Sequence, residues 1–220
     1  MARRITGGFF QSIDGVMQAP GGPEEDPSGG FAHGGWLATT FDEGLGNQID
    51  TLFSGQYDLL LGRRTYEIFS AHWPFQPADD PLAATFNRTA KYVLSTSDLP
   101  LPWANSHRLD GMEAVAALKA QDGPNLVIQG SSTLYPQLLQ HGLIDRIVTM
   151  TAPVVLGAGK RVFGEGTAPG AFKLIEHRVT SNGIAMATYD PAGAVETGTF
   201  ATVDPSPAEL ERRERLKQEG

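Results

Sequence analysis

Apolar positions along the chain repeatedly change period, from runs that suit a buried strand to a recurrence every three or four residues that suits a helix. RITGGFFQS (4–12) reads as a first strand, and DEGLGNQIDTLFS (42–54) as a first helix with Leu45, Ile49, Leu52 and Phe53 on one face. YDLLL (57–61) is a second strand, and the helix behind it, about 65–71, has to stop before Pro74. AKYVLST (90–96) and NLVIQG (125–130) are further strands, separated by the helix GMEAVAALKAQ (111–121), which turns Met112, Val115, Ala116 and Leu118 inward. SSTLYPQLLQHG (131–142) is a helix closed by Gly142. The remaining strands are expected over 145–157, 172–180, 183–191 and 194–203. Helices between strands require right-handed crossovers and a largely parallel sheet, whereas the closing strands, turning at Ser181, Asn182 and Gly183, form an antiparallel hairpin. The expected fold is α/β, a three-layer sandwich with a mostly parallel mixed sheet and an antiparallel edge hairpin.

Two segments interrupt this pattern. APGGPEEDPSGGFAHGG (19–35) holds six glycines and three prolines in 17 residues, too broken for regular structure, and is either a long functional loop or a disordered insert. DPSPAELERRERLKQEG (204–220) opens with Ser206, Pro207 and Glu209 in capping-box positions and pairs Glu209 with Arg213 and Glu211 with Arg215. The expected organisation is one domain over 1–203 and a charged tail over 204–220, helical or disordered.

Composition narrows the function. With 220 residues, 40% of them hydrophobic, the chain can bury one sizeable core. A net charge of −8 argues against nucleic-acid and anionic-membrane partners but leaves room for a small anion held by local arginines. There are no cysteines, which removes thiolate chemistry and Cys-ligated zinc. His33, His72, His107, His141 and His177 are scattered without an i, i+4 pair, so no metal is expected. No window approaches a membrane span, and MARRITGGFFQS lacks the features of a signal peptide, so the expected location is the cytoplasm.

The chemistry sits at strand ends. In open α/β sheets ligands bind beyond the carboxyl ends of strands, where helix starts offer free N–H groups to anions. In YDLLLGRRTYEIF, Gly62, Arg63, Arg64 and Thr65 follow a strand and suit a phosphate, although solvated arginines at a turn are equally compatible. Gly130, Ser131, Ser132 and Thr133 follow the strand at 125–130 and could equally be an ordinary helix cap. Ser95 and Thr96 end a third strand, by themselves only a polar loop. Three such ends in one sheet are what a dinucleotide with an additional ribose phosphate requires, and no GxGxxG follows the first strand.

SIDGVM, GRRTYE, KYVLSTSD, LVIQGSSTLY and GLIDRIVTMTAPVVLGAGKRVF (142–163), taken in order, resemble the dihydrofolate-reductase-like superfamily. The likeness is greatest to the reductase domain of riboflavin biosynthesis, the C-terminal domain of the bifunctional deaminase/reductase, and to its stand-alone bacterial relatives, over about residues 3–190. The resemblance implies a nucleotide-binding, NADPH-dependent oxidoreductase that passes a hydride to a small heterocyclic acceptor, pyrimidine- or pterin-like. It assigns the cofactor phosphates to Gly62, Arg63, Arg64 and Thr65, the ribose and its 2′-phosphate to Ser95 and Thr96, and the pyrophosphate to Gly130–Thr133. Ile13, Asp14, Gly15, Val16 and Met17 would line the nicotinamide half, with Asp14 either catalytic or a turn residue. Trp36 would close the substrate pocket. Where dihydrofolate reductase itself carries a pterin-binding carboxylate, this chain has Gly46 and Asn47, with Asp50 one turn away as the substitute. A homodimer and a small-molecule substrate are the expected partners. A dinucleotide-binding module without turnover is the alternative, and the substrate stays open.

Overall fold

The computed structural model describes residues 2–98, 100–164 and 166–219, so Met1 and Gly220, the outer ends of the expected domain and tail, lie outside the described residues. Among the described residues the strands are β1 (Ile5–Ser12), β2 (Tyr57–Gly62), β3 (Lys91–Leu94), β4 (Ser106–Leu109), β5 (Asn125–Gln129), β6 (Arg146–Ala152), β7 (Ala171–Val179) and β8 (Ala185–Gly193). They form one sheet in the order β4-β3-β2-β5-β1-β6-β8-β7. Every neighbour pair from β4 to β6 is parallel, and β8 runs antiparallel to both β6 and β7. The helices are α1 (Glu43–Leu52), α2 (Arg63–His72), α3 (Pro81–Arg88), α4 (Met112–Ala120), α5 (Leu134–Gln140) and α6 (Pro207–Glu219).

The period-two pattern of each central strand decides which helix it meets. Leu60, Leu126, Ile128 and Ile147 pack with Val115 and Leu118 of α4 and with Leu134 and Leu138 of α5. Their neighbours Leu59, Leu61, Val127 and Val148 face the other way, onto Leu52 of α1, Tyr66 of α2 and Phe86 of α3. The result is the three-layer sandwich, with a core on each face of the sheet. β1 lies near the centre and carries Gly7 and Gly8 because helices descend onto it from both sides. A Cβ on Gly7 would run into the Tyr135 ring of α5, and one on Gly8 into the Leu52 side chain of α1. Tyr135 fills the space, fully buried, with its ring edge-on to Phe9 at 4.9 Å and its hydroxyl donating to the Gly8 carbonyl at 3.3 Å.

Helix starts follow local chemistry. Asp42 caps α1 by accepting from the Leu45 N–H at 3.0 Å, while its other oxygen takes the Ser181 hydroxyl at 2.9 Å and the Asn182 N–H at 2.8 Å. One carboxylate thereby ties α1 to the β7–β8 turn. α3, absent from the expectation, has Pro81 at its start and an Asp80 oxygen that accepts from both Leu82 and Ala83 at 2.9 Å. Lys91, with no exposed surface, donates its ammonium to the α3 carbonyls of Phe86 (2.9 Å) and Asn87 (3.2 Å) beneath the Trp103 ring, and burial pulls its pKa down to about 8.

Three expectations are corrected. α2 begins at Arg63, two residues early, which draws both arginines into its first turn. SHRL at 106–109 is a strand that polarity concealed, since it is an edge strand paired with β3 alone. The segment 194–203 is not a strand: β8 already has β6 and β7 on its two sides, and Phe200 and Val203 are left exposed. The tail forms α6 without burying a residue, held by Glu209 to Arg212 at 2.6 Å and to Arg213 at 2.8 Å. Among the described residues no helix is long and apolar enough to cross a membrane.

Asp14 lies in the turn that follows β1. One of its oxygens accepts from the Ser12 hydroxyl at 2.6 Å and the Leu156 N–H at 3.1 Å, and the other from the Gly157 N–H at 2.9 Å and Arg161 at 3.2 Å. These bonds join the exit of β1 to the exit of β6, and the Ser12 bond leads in lowering its pKa to about 2. The carboxylate has the turn role, the second of the two expected for it.

Two tests follow from this packing. Gly7→Ala should cost about 1–3 kcal/mol in denaturant unfolding, because the Tyr135 ring has no room to yield; an unchanged midpoint would refute the close approach. Asp14→Asn should be less stable than wild type at pH 7. A depressed folded pKa stabilises only while the carboxylate is ionised, so that gap should close as pH falls from 3.8 toward about 2. Thermal melts of both proteins across that range check it.

Candidate active site

β2 ends at Gly62, β3 at Leu94 and β5 at Gln129, and beyond these ends lies a cavity of about 680 Å³, a size that accepts small molecules. The turn after β5 builds its centre. Gly130 and Ser131 both adopt the left-handed conformation, at φ 73° and 62°, an arrangement that Gly tolerates and Ser does not favour. This bend carries the buried Ser131 hydroxyl across to the next strand end, where it accepts from the Gly62 N–H and donates to the Thr65 hydroxyl, each at 2.9 Å. Gly62 is the N-cap of α2 and offers no side chain, so the first-turn amides of that helix have no side-chain cap at the cavity edge.

Arg63 and Arg64 are both paired. Arg63 meets Glu67 at 2.7 Å on the exposed surface, a contact too solvated to hold it firmly. Arg64 reaches instead into the loop at 19–35, to the Ser28 hydroxyl at 2.7 Å and Asp26 at 3.3 Å. Lys160 holds the other Asp26 oxygen at 2.5 Å and the same Ser28 hydroxyl at 2.7 Å. Burial pushes the Asp26 carboxyl up, but the Lys160 and Ser28 bonds outweigh it and its pKa is lowered. Gln18 completes the clasp: its amide donates to the carbonyls of Asp26 (2.8 Å) and Ser28 (2.9 Å) and accepts from the Lys160 N–H at 3.0 Å. With the Gly35 N–H on the Ala19 carbonyl at 2.8 Å and Phe31 buried, the segment is a closed Ω-loop packed over the cavity. Glu25, on its inner side, accepts from the N–H groups of Gly21 and Gly22, at 2.7 and 3.3 Å, and burial pushes its carboxyl up.

Met17, Gly62, Arg63, Arg64, Thr65, Ser95, Thr96, Gly130, Ser131, Ser132 and Thr133 all line this one cavity, although they come from four separate stretches of chain. Six other expected residues do not: Ile13, which is exposed, Asp14 and Gly15 in the turn after β1, and Val16, Trp36 and Asp50. Val16 has no exposed surface and packs in a core cluster with Leu45, Met150 and Ile184. Trp36 is buried in the same cluster and donates its Nε1 to the Gln18 carbonyl at 2.8 Å; its neighbour Leu37 lines the cavity in its place. Asp50 and Asn47 are exposed on α1 and Gly46 is half-buried there, and all three are outside the lining. Sequence reading missed Gln18, Glu25, Asp26, Gln129 and Lys160. Lys160 to Asp26 spans 134 positions, so no local pattern announces it.

The lining has two chemistries. Around the first turn of α2 it offers the Arg63 guanidinium, the hydroxyls of Ser95, Thr96, Ser132 and Thr133, and uncapped amides, a donor set for phosphate oxygens. Farther along α2 and across to β1 it is apolar, built from Phe10, Leu37, Ile68, Phe69 and Trp73, and suits a flat ring. A dinucleotide with an anionic half and an aromatic half fits this division. Two buried atoms on lining residues, Gln129 Oε1 and Trp73 Nε1, have no hydrogen-bond partner among the described residues. Among those residues there is also no metal-binding cluster.

Comparison with known proteins agrees with this architecture. YyaP of Bacillus subtilis (strain 168), itself uncharacterized, is 27% identical over 198 residues, covering 85% of this chain and 94% of that protein. Among solved structures, a protein assigned by name to riboflavin biosynthesis, from Shewanella sp. PV-4, superposes with a TM-score of 0.59 at 21% identity, covering 87% of this chain and 99% of that one. Dihydrofolate reductase from Enterococcus faecalis, complexed with NADP(H), gives a TM-score of 0.55 at 13% identity over 87% of this chain and 99% of its own. At these identities the two structures establish the fold. The family profile for the RibD C-terminal domain matches residues 3–186, and the chain belongs to that family.

Proposed function

We propose that the protein is an NADPH-dependent reductase that passes a hydride to a small planar heterocycle, pyrimidine- or pterin-like. The observation that carries this reading is a cavity in which an uncapped helix start and a ring of hydroxyls adjoin an aromatic wall. The reductase character of the family and the NADP(H) complex of the Enterococcus faecalis enzyme support it. Arg63, Ser95 and Thr96 would hold the 2′-phosphate, and Gly62, Thr65 and the turn Gly130–Thr133 the pyrophosphate, with Met17 against the nicotinamide. When bound, the cofactor supplies the hydride. The chain's own share is to hold two rings face to face between α2 and the Met17–Gly21 wall, and to keep water out with the clasped loop over 19–35.

We also propose a homodimer. β7 has one ladder, to β8, and its exposed Leu174, Ile175 and Val179 leave an edge strand with apolar side chains in solvent.

NADPH should bind at least ~10-fold more tightly than NADH, because a charge-assisted contact to phosphate is worth on the order of 1.5–3 kcal/mol. Arg63→Ala and Arg64→Ala, measured by calorimetry, should each weaken NADPH binding, and equal affinity for the two cofactors would remove the phosphate assignment. Steady NADPH oxidation with a pyrimidine acceptor separates turnover from mere binding. Light scattering at micromolar concentration should return the dimer mass; a monomer mass rejects the edge pairing.

A further inference from the structure

One end of the sheet is left open. β7 is its last strand, bonded to β8 alone, and its residues Lys173–Val179 are all exposed. Successive side chains of a strand point to opposite faces, so β7 meets solvent on both faces as well as along its outer edge. Leu174, Ile175 and Val179 are the apolar part of that surface. Edge strands are ordinarily kept short or covered, because unpaired N–H and C=O groups invite another strand; β7 is nine residues long and uncovered.

A few residues later the chain holds a run with the complementary need. AVETGTFATV (194–203) has six β-branched or aromatic residues in ten, the composition of a strand, yet all ten are exposed, Val195, Phe200 and Val203 included. Among the described residues no backbone hydrogen bond joins this run to another segment. It cannot enter the sheet beside β8, whose two sides are taken by β6 and β7. The charges also match: β7 carries Lys173, His177 and Arg178 against Glu176, while the run and the residue after it carry Glu196 and Asp204 and no cation. The run leaves the sheet at Gly193, opposite Ala171 at the start of β7. To pair with its own β7 it would have to double back across that strand, whereas the β7 of a second copy offers the same edge without the crossing. It also lies beyond residues 3–186, over which the chain matches its family.

We propose that residues 194–203 of one copy add as a strand to β7 of a second copy, and reciprocally, so that two-fold symmetry closes both open edges. This contact rests on the homodimer reading and gives it a specific seam, strand exchange in place of two β7 edges paired directly.

The test compares wild type with the full-length double variant Thr199→Pro/Phe200→Pro. The N–H groups of adjacent strand residues point to opposite edges, so one of the two prolines deletes a donor to β7 in any register. The run is solvated, so the core is untouched and the circular dichroism of the variant should match wild type. Sedimentation over a concentration series should return a dimer for wild type and a dissociation constant at least ~10-fold weaker for the variant. In a second measurement, wild type labelled with nitrogen-15 is mixed with unlabelled Ala201→Cys carrying a nitroxide, a unique attachment point because the chain has no cysteine. The amide resonances of β7 should broaden, which requires the run and the strand to lie in different copies. A wild-type monomer rejects the homodimer and the strand exchange together. A dimer that the double variant keeps at full strength leaves the homodimer standing and overturns the exchange alone, as does a wild-type dimer whose β7 resonances stay sharp beside the nitroxide.

Discussion

The Ser131 hydroxyl is the point on which the cavity depends. It lies in a left-handed turn, a conformation a serine adopts only when its surroundings hold it there, and from it one oxygen satisfies the Gly62 N–H and donates to Thr65. Two strand ends 69 residues apart are thus fixed to each other at hydrogen-bond distance. The start of α2, with its uncapped amides, takes its position from the turn after β5. Gln129, immediately before that turn, takes its position from the same bond. The unfavourable backbone and the amide oxygen of Gln129, which has no partner among the described residues, lie within three residues of each other, which is where local compromise is expected if the region serves a ligand more than the fold.

Charge is distributed to the same end. The protein is acidic as a whole, yet Arg63, Arg64 and Lys160 all line the cavity. Asp26 neutralises two of these cations from within the loop over 19–35, so that the loop rests in place and Arg64 and Lys160 are not left unpaired near an apolar wall. Arg63 is different: its partner Glu67 is on the open surface, where an ion pair holds a guanidinium only loosely. An anion arriving at the first turn of α2 would therefore find one cation easily released and two already committed to closing the loop.

The central sheet explains why this arrangement is rigid. Gly7 and Gly8 let α5 and α1 press onto the two faces of β1, and Asp42 and Asp14 fasten the neighbouring turns by accepting backbone N–H groups. Of the two, Asp14 is also an expected site residue. In the structure Asp42 accepts from Leu45, Ser181 and Asn182, and Asp14 from Ser12, Leu156, Gly157 and Arg161.

Periodicity and turn chemistry were sufficient for the parallel centre of the sheet, the antiparallel hairpin, the helices that bury a clear face, and the glycine–hydroxyl strand ends that meet at the cavity. These are written in contiguous residues and their causes act over a few positions: the apolar run in YDLLL, one apolar face in 42–54, a glycine where a strand meets a helix. The edge strand SHRL, the unpaired run at 194–203, the burial of Val16 and Trp36, and the distance of Asp50 from the cavity were decided by the tertiary structure. Whether a segment is a strand depends on a neighbour with free backbone groups, and whether a side chain is reactive depends on who else has claimed it. Asp14 was claimed by the turn after β6, and Asp26 by a lysine 134 residues away. Sequence specifies which groups are available, and only the folded contacts, made across such separations, determine which of them remain free.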